Sequence, residues 1–298
     1  MPRSSLLVRL FERCGHPLLI AAGLALWWAL GGGEGAMLAT AAALLLAMEG
    51  LERWRPAMPQ WRLSGVAKLK PVGVYLFGVV VAALLVGLYE AWLPRLLAGA
   101  RGPVGAALWP HHWPWPLQAL LLFFVGDLIY YWVHRAIHRW AWLWRLTGHG
   151  FHHGFHNLHA LNVGSNHPFE AVFLALPLTL VAALTGISAQ IVAAAAMLSL
   201  LNTTLAHANL RLHTPLWNLF FTAGHHHRRH HSQVFEHSNS NYACNAIVWD
   251  RVFGTFGRGA VEQTGIGPEQ PSIWRMYLLP FREPASADTV ATRAKARH

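Results

Sequence analysis

Eight histidines fall into three groups with helical spacing: His134 and His138, then His149, His152 and His153, then His227, His230 and His231. They read HxxxH, HxxHH and HxxHH. On an α-helix, residues three and four apart share a face, so each group is expected to aim two or three imidazoles at one point. Sixteen of the chain's twenty histidines lie between His134 and His237. Neutral imidazole is a good ligand for iron, copper, zinc and nickel. A structural zinc uses about four ligands. Eight convergent imidazoles therefore suit a pair of transition-metal ions, and two irons with four or five nitrogens each fit the count. Soluble diiron sites instead use carboxylates with Glu-x-x-His pairs, and this chain, with 13 acidic residues, has no such pair in the right places.

The elements that must position these groups are apolar and long. The chain has 298 residues, 54% hydrophobic and 12% charged, with a mean hydropathy of +0.31. Soluble domains carry about 25% charged residues. Pro71 to Leu93, Trp115 to Trp132 and Ile187 to Ala206 approach or exceed the roughly 20 apolar residues that cross a bilayer. Pro17 to Gly33 follows Arg3, Arg9 and Arg13, as a secretory signal would, but no small-residue cleavage site separates it from a second run, Ala36 to Met48. The two read as a short hairpin across GGGEG, with a re-entrant or tilted second limb left open. Pro168 begins another hairpin, out to Gly186 and back through Leu201 to His207. The expected fold is all-α: an integral membrane protein of about six membrane segments with a helical cap.

Charge orients it. With the amino terminus in the cytoplasm, the outside loops are residues 31–35, 94–114 and a tight turn near Gly186, and they hold only Arg95 and Arg101 of the 23 Lys and Arg residues. Basic residues concentrate on the cytoplasmic side of membrane proteins, so the cap, the histidine groups and both termini are expected to be cytoplasmic. His207 ends the last span on that same side. The net charge of +10 is dispersed between spans with no aromatic-basic platform, which argues against nucleic-acid binding. Cys14 and Cys244 are too few and too far apart for a disulfide framework or a cysteine-type zinc site. His111 and His112, in the aromatic, proline-broken stretch before the fourth span, read as interfacial residues on the far side. The chain divides into membrane hairpins with a basic loop at 1–114, a histidine-bearing region at 115–283 and a flexible tail at 284–298.

Motifs over roughly Leu117 to Arg282 resemble those of the fatty acid hydroxylase and sterol desaturase superfamily. The resemblance rests on Asp127-Leu-Ile-Tyr-Tyr-Trp-Val-His134-Arg135 with His138, then His149-Gly-Phe-His152-His153 and His167-Pro168-Phe169-Glu170. It continues through His207-Ala-Asn209, His227-Arg-Arg-His230-His231, Asn241-Tyr242 and Trp249-Asp250-Arg251-Val-Phe253-Gly254-Thr255. It implies that the eight histidines are metal ligands and His207 a ninth, with two iron ions as cofactor. Asp127, one helix face with His134, is placed to orient a ligand imidazole, and Asp250 and Asn241 are candidates for the same role or for supporting the fold. His156, His159, His225 and His226 lie outside the pattern, as surface or supporting residues. His159 and Ser165 stand where members commonly carry Asn and Arg, a departure that bears on local packing.

The activity implied is oxygen-dependent hydroxylation or desaturation of a lipid C–H site, with dioxygen and a separate electron donor of cytochrome or ferredoxin type. No Rossmann turn, flavin motif or CxxCH haem site occurs to supply electrons internally. The aromatics Trp140, Trp142, Trp144, Phe151, Phe155, Phe220 and Phe221 fit either an apolar access route or an interfacial anchor. Two other classes compete: a membrane zinc or nickel transporter, and an inactive metal-binding relative. A transporter would string ionisable residues through its spans, whereas mid-span charge is nearly absent here. An intramembrane metalloprotease would need HExxH, which does not occur.

Overall fold

The computed structural model describes residues 6–101, 105, 107–261 and 263–282; the tail expected from residue 284 onward lies outside them. Among the described residues every regular element is helical, and strand-like pairing is limited to the bridges Pro56–Leu210 and Ser232–Thr264. The long helices are α1 (Leu6–Ala29), α2 (Glu34–Trp54), α3 (Leu69–Leu96), α4 (Trp115–Arg139), α7 (Pro168–Thr185) and α8 (Ala189–His207). Short helices build a cap beyond one end of them: α5 (Ala141–Thr147), α6 (Gly150–His153), α9 (Gly224–His230), α10 (Val248–Val252) and α11 (Ile273–Tyr277).

Five of the long helices, α2, α3 with the turn before it, α4, α7 and α8, are long and apolar enough to cross a membrane. The sixth expected segment, α1, is a 24-residue helix whose first half carries Arg9, Glu12, Arg13 and His16. It does not reach that apolarity and packs beside α2 and α8 instead. The α1–α2 hairpin turns through Gly31 and Gly32, at φ of 100° and 68°, backbone conformations that only glycine adopts freely. The second limb is longer than its apolar run, because α2 continues in polar sequence to Trp54.

Packing between the spans relies on small residues that let backbones approach. A Cβ on Gly126 of α4 would lie 2.5 Å from Leu178 Cδ2 of α7, and one on Gly23 of α1 would lie 2.5 Å from Leu201 Cδ2 of α8. Leu122, Phe123, Met197 and Leu201 fill the interior between α4 and α8. The outer face of α3 is apolar and uncovered, Leu84 being 69% exposed, as a lipid-facing surface requires.

One close approach of helix backbone to loop backbone bears on the cap. A Cβ on Gly78 of α3 would sit 2.3 Å from the carbonyl oxygen of Gly164, at the end of the 3₁₀ turn Ala160–Gly164. Backbone cannot move aside as a side-chain tip can. Gly78→Ala is therefore expected to destabilise the folded protein by about 1–3 kcal/mol, and Gly126→Ala, facing the mobile end of Leu178, by less. The comparison is read as the two thermal unfolding midpoints in detergent, Gly78→Ala lying lower.

Candidate metal centre

The nine histidines meet in two adjoining sets at the cap end of the spans. His134, His138, His149, His153 and His230 form one, and His152, His207, His227 and His231 the other; within each set the nearest side-chain nitrogens lie within 4.8 Å of one another. All nine side chains are buried. α4 delivers His134 and His138 at its last turns, and α8 ends on His207. A left-handed Gly148, at φ 68°, closes α5 and turns the chain directly into His149. The short helices α6 and α9 carry the rest, His231 lying one residue past the end of α9.

The sequence groups do not each aim at one point, as their spacing led us to expect. His149 and His153 join the five-nitrogen set while His152 joins the other. Likewise His227 and His231 face one way and His230 the other. At about 100° per residue, a step of four returns to within roughly 40° of the starting direction, while a step of three or one misses by about 60° or 100°. Each HxxHH thus serves both sets, and the rings of His153 and His231 stack at 4.3 Å where the sets adjoin.

Hydrogen bonds assign the imidazole tautomers. Nδ1–H of His134 donates to the carbonyl of Tyr242 at 2.6 Å, that of His152 to Ser165 at 3.1 Å, that of His207 to Thr203 at 2.8 Å and that of His230 to Ser240 at 3.0 Å. His149 donates its Nδ1–H to Glu170 Oε1 at 2.8 Å, an oxygen that also accepts from Tyr130 OH at 3.2 Å. In these five rings Nε2 must carry a lone pair. Yet Nε2 of His134 lies 3.0 Å from Nε2 of His149 and 3.1 Å from Nε2 of His230, and Nε2 of His152 lies 3.4 Å from that of His207. Two lone pairs facing each other at such distances repel unless a cation lies between them. Nitrogens bound to one metal at roughly 2.0–2.1 Å and at right angles lie about 3 Å apart. The donor set fits metal ions.

Burial holds the cap histidines in the ligand form. It pushes the pKa of His152 down to about 3, with His207 adding to the effect. It also drives His149, His153, His227, His230 and His231 well below the usual histidine range, assisted by neighbouring imidazoles. Among the described residues Nδ1 of His138, His227 and His231 has no hydrogen-bond partner, and packing orients these three rings. Trp144 supplies part of that packing, its ring lying 5.0 Å from His138 and 4.9 Å from His149.

The three polar residues singled out beside the ligands act one step further away than an orienting contact would. Asp127 touches no imidazole: its carboxylate accepts the backbone N–H groups of Asn245 and Ala246, at 2.9 and 2.8 Å. Asp250 accepts those of Tyr242 and Ala243 and the Thr255 hydroxyl. Burial pushes its pKa up to about 6 against the pull of these three donors. Asn241, at φ 57°, bridges His226 and Gly257. Together they fix residues 240–246, whose Ser240 and Tyr242 carbonyls receive His230 and His134. The carboxylate that does touch one of the nine rings is that of Glu170, on His149. Its sequence signal was an acid in the first turn of an otherwise apolar helix, in a chain with few acids.

Other expectations sort cleanly. His111 and His112 are exposed and belong to neither set, and His156, His159, His225 and His226 also lie outside both. His159 and His226 are buried, so neither is a surface residue. Of the aromatics, Trp144 lies on the imidazoles, whereas Trp140, Trp142 and Phe220 are exposed as anchors would be. Asp127→Asn would set an amide N–H₂ against a backbone N–H, leaving a buried donor unpaired at a cost of about 1–3 kcal/mol. Asp127→Asn protein is expected to unfold at lower temperature and to bind metal more weakly than wild type, as read by thermal melts and metal titration.

Known proteins give this geometry a context. Residues 119–255 match the fatty acid hydroxylase family model. The chain is 34% identical over 152 residues to an ornithine lipid hydroxylase of Rhizobium tropici, covering 50% of this chain and 44% of that protein. It is 33% identical over 152 residues to an alkylglycerol monooxygenase of Danio rerio, covering 50% and 31%. It is 28% identical over 185 residues to methylsterol monooxygenase 2-2 of Arabidopsis thaliana, covering 60% and 68%. The chain thus spans less than half the length of the first two relatives, and no solved structure matches it. The matched region begins within α4 and ends just past α10, enclosing all nine histidines and their carbonyl and carboxylate partners. Just under half of the chain, the part that holds all nine histidines, is thus similar to the fatty acid hydroxylase family.

Proposed function

We propose that the protein is a membrane-bound oxygenase that holds two irons on its nine histidines and uses dioxygen to hydroxylate or desaturate a C–H site on a lipid. The observation that carries this reading is the facing of Nδ1-anchored imidazoles at 3.0–3.4 Å within two adjoining sets. A set of five nitrogens exceeds what a tetrahedral zinc takes, which supports iron. Relatives named for hydroxylation of ornithine lipid and oxygenation of alkylglycerol and methylsterol support a lipid substrate. A transporter would need ligands strung along a path; here the nine nitrogens are gathered in one place.

Two bound irons would supply the reduction of dioxygen and the oxidising power to break a C–H bond. The chain's own residues prepare for that. His134, His138, His149, His153 and His230 would hold one ion, and His152, His207, His227 and His231 the other. Glu170 and the Thr203, Ser165, Ser240 and Tyr242 carbonyls keep the Nδ1 protons in place, so each Nε2 stays free to bind. Burial excludes water from the sets. The spans bring a lipid's C–H bond to the cap end without passage through water, and Trp144 walls the five-nitrogen set with an apolar surface. Two electrons per turnover come from a separate protein. In hydroxylation one oxygen atom enters the lipid and the other leaves as water, with two protons; in desaturation both oxygen atoms leave as water and the lipid loses two hydrogens.

The cap and both termini face the cytoplasm in this reading, which the placement of basic residues supports. A cysteine at Val234, which is 46% exposed on the cap, should react with impermeant reagent in inverted vesicles and not in intact cells; the opposite pattern overturns the orientation. Purified protein should contain about two irons per chain, and His152→Ala and His230→Ala should each lose metal and activity together. The deciding experiment compares lipid extracts with and without active protein under ¹⁸O₂. A labelled lipid hydroxyl identifies hydroxylation, an unlabelled product short of two hydrogens identifies desaturation, and no new lipid product ends the proposal.

A further inference from the structure

α2 lies outside the residues that match the family, yet it reaches the metal centre through one buried carboxylate. Glu52, in the last turns of α2, is 8% exposed. Its Oε1 accepts two backbone N–H groups, from Ala160 and from Asn209, each at 2.8 Å. Ala160 opens the 3₁₀ turn that leads to Ser165, the carbonyl partner of His152 Nδ1–H. Asn209 follows His207 by two residues. The chain just beyond α2 completes the grip: Met58 N–H donates to Asn209 Oδ1 at 2.8 Å, Asn209 Nδ2 donates to the Met58 carbonyl at 2.9 Å, and Ala57 N–H donates to the Asn209 carbonyl at 3.1 Å.

Both segments fixed by Glu52 therefore carry or anchor ligands of the four-nitrogen set. The Nδ1 partners of the five-nitrogen set lie elsewhere, on Tyr242, Glu170 and Ser240. Lys68 lines the same cleft as Glu52, with His159 and Asn209, but its ammonium pairs with Glu49. A buried carboxylate with a cation at hand is thus committed to two amides, which is how a backbone spacing is fixed and not how a surface charge is neutralised.

We propose that Glu52 is a positioning residue for one half of the centre: it sets the separation of His152 and His207, so occupancy of the four-nitrogen set depends on it and occupancy of the five-nitrogen set does not. The proposal rests on the two-metal reading above. It also gives the amino-terminal hairpin a role in metal binding that the family match does not include.

The test titrates iron(II) into metal-free, full-length protein in detergent, following stoichiometry by elemental analysis and metal–metal coupling by Mössbauer spectroscopy. Wild type should take two coupled equivalents. Glu52→Gln keeps an oxygen that can accept both N–H groups and should behave as wild type. Glu52→Ala should bind one equivalent as before and the second about 10–100-fold more weakly, with coupling lost at limiting iron. Glu52→Asp, one methylene short, can reach only one of the two donors and should fall between; if Glu52→Ala does not fold, this variant decides. Two coupled irons at wild-type affinity in Glu52→Ala or, failing that variant, in Glu52→Asp would overturn the proposal, as would equal weakening of both equivalents or a Glu52→Gln defect as large as that of Glu52→Ala. Failure of wild type itself to bind two irons would instead refute the underlying metal reading.

Discussion

Nine imidazoles buried with their lone pairs converging is an arrangement that the rest of the molecule has to sustain. Each ring, were it protonated, would place a charge away from water beside others like it, so burial and mutual repulsion both favour the neutral form. The neutral form then creates the opposite difficulty, lone pair against lone pair at 3.0–3.4 Å in three places. Five rings cannot relieve it by changing tautomer, because their Nδ1 protons are held by oxygen acceptors. Metal ions remove the conflict, so the protein part of the centre is an incomplete charge distribution shaped for cations.

The scaffold meets that demand with two kinds of support. Four of the five tethered rings donate to main-chain carbonyls, so their orientation is set by backbone and survives side-chain variation nearby. The backbone is in turn held by carboxylates that accept N–H groups: Asp127 and Asp250 for residues 242–246, and Glu52 for residues 160 and 209. The few acidic residues of this chain are thus partly spent on structure near the centre and not on metal coordination. Glu170 is the exception, since it grips the His149 ring directly.

Membrane placement follows from the same economy of polar groups. A span cannot leave backbone donors unpaired in lipid, so irregular chain must lie at the ends. The turns that carry His149–His153 and residues 240–246 sit in the cap, where carbonyls can be bent toward imidazoles. Helices α4 and α8, regular throughout, contribute histidines to the two sets only from their final turns.

Helical spacing and apolar length are local properties, and from them the sequence carried an all-helical protein with membrane-length helices and nine histidines gathered at one end, though not that α1 falls short of a span's apolarity. What one dimension could not carry was the partition of HGFHH and HRRHH between two sets, because it depends on which faces of α6 and α9 meet α4 and α8 in space. Nor could it carry the indirect action of Asp127 and Asp250, or the long-range grips of Glu170 on His149 and Glu52 on residues 160 and 209. Apart from those of Asp250, these contacts join residues 21 to 157 positions apart, and only the packing of the spans brings them within a hydrogen bond.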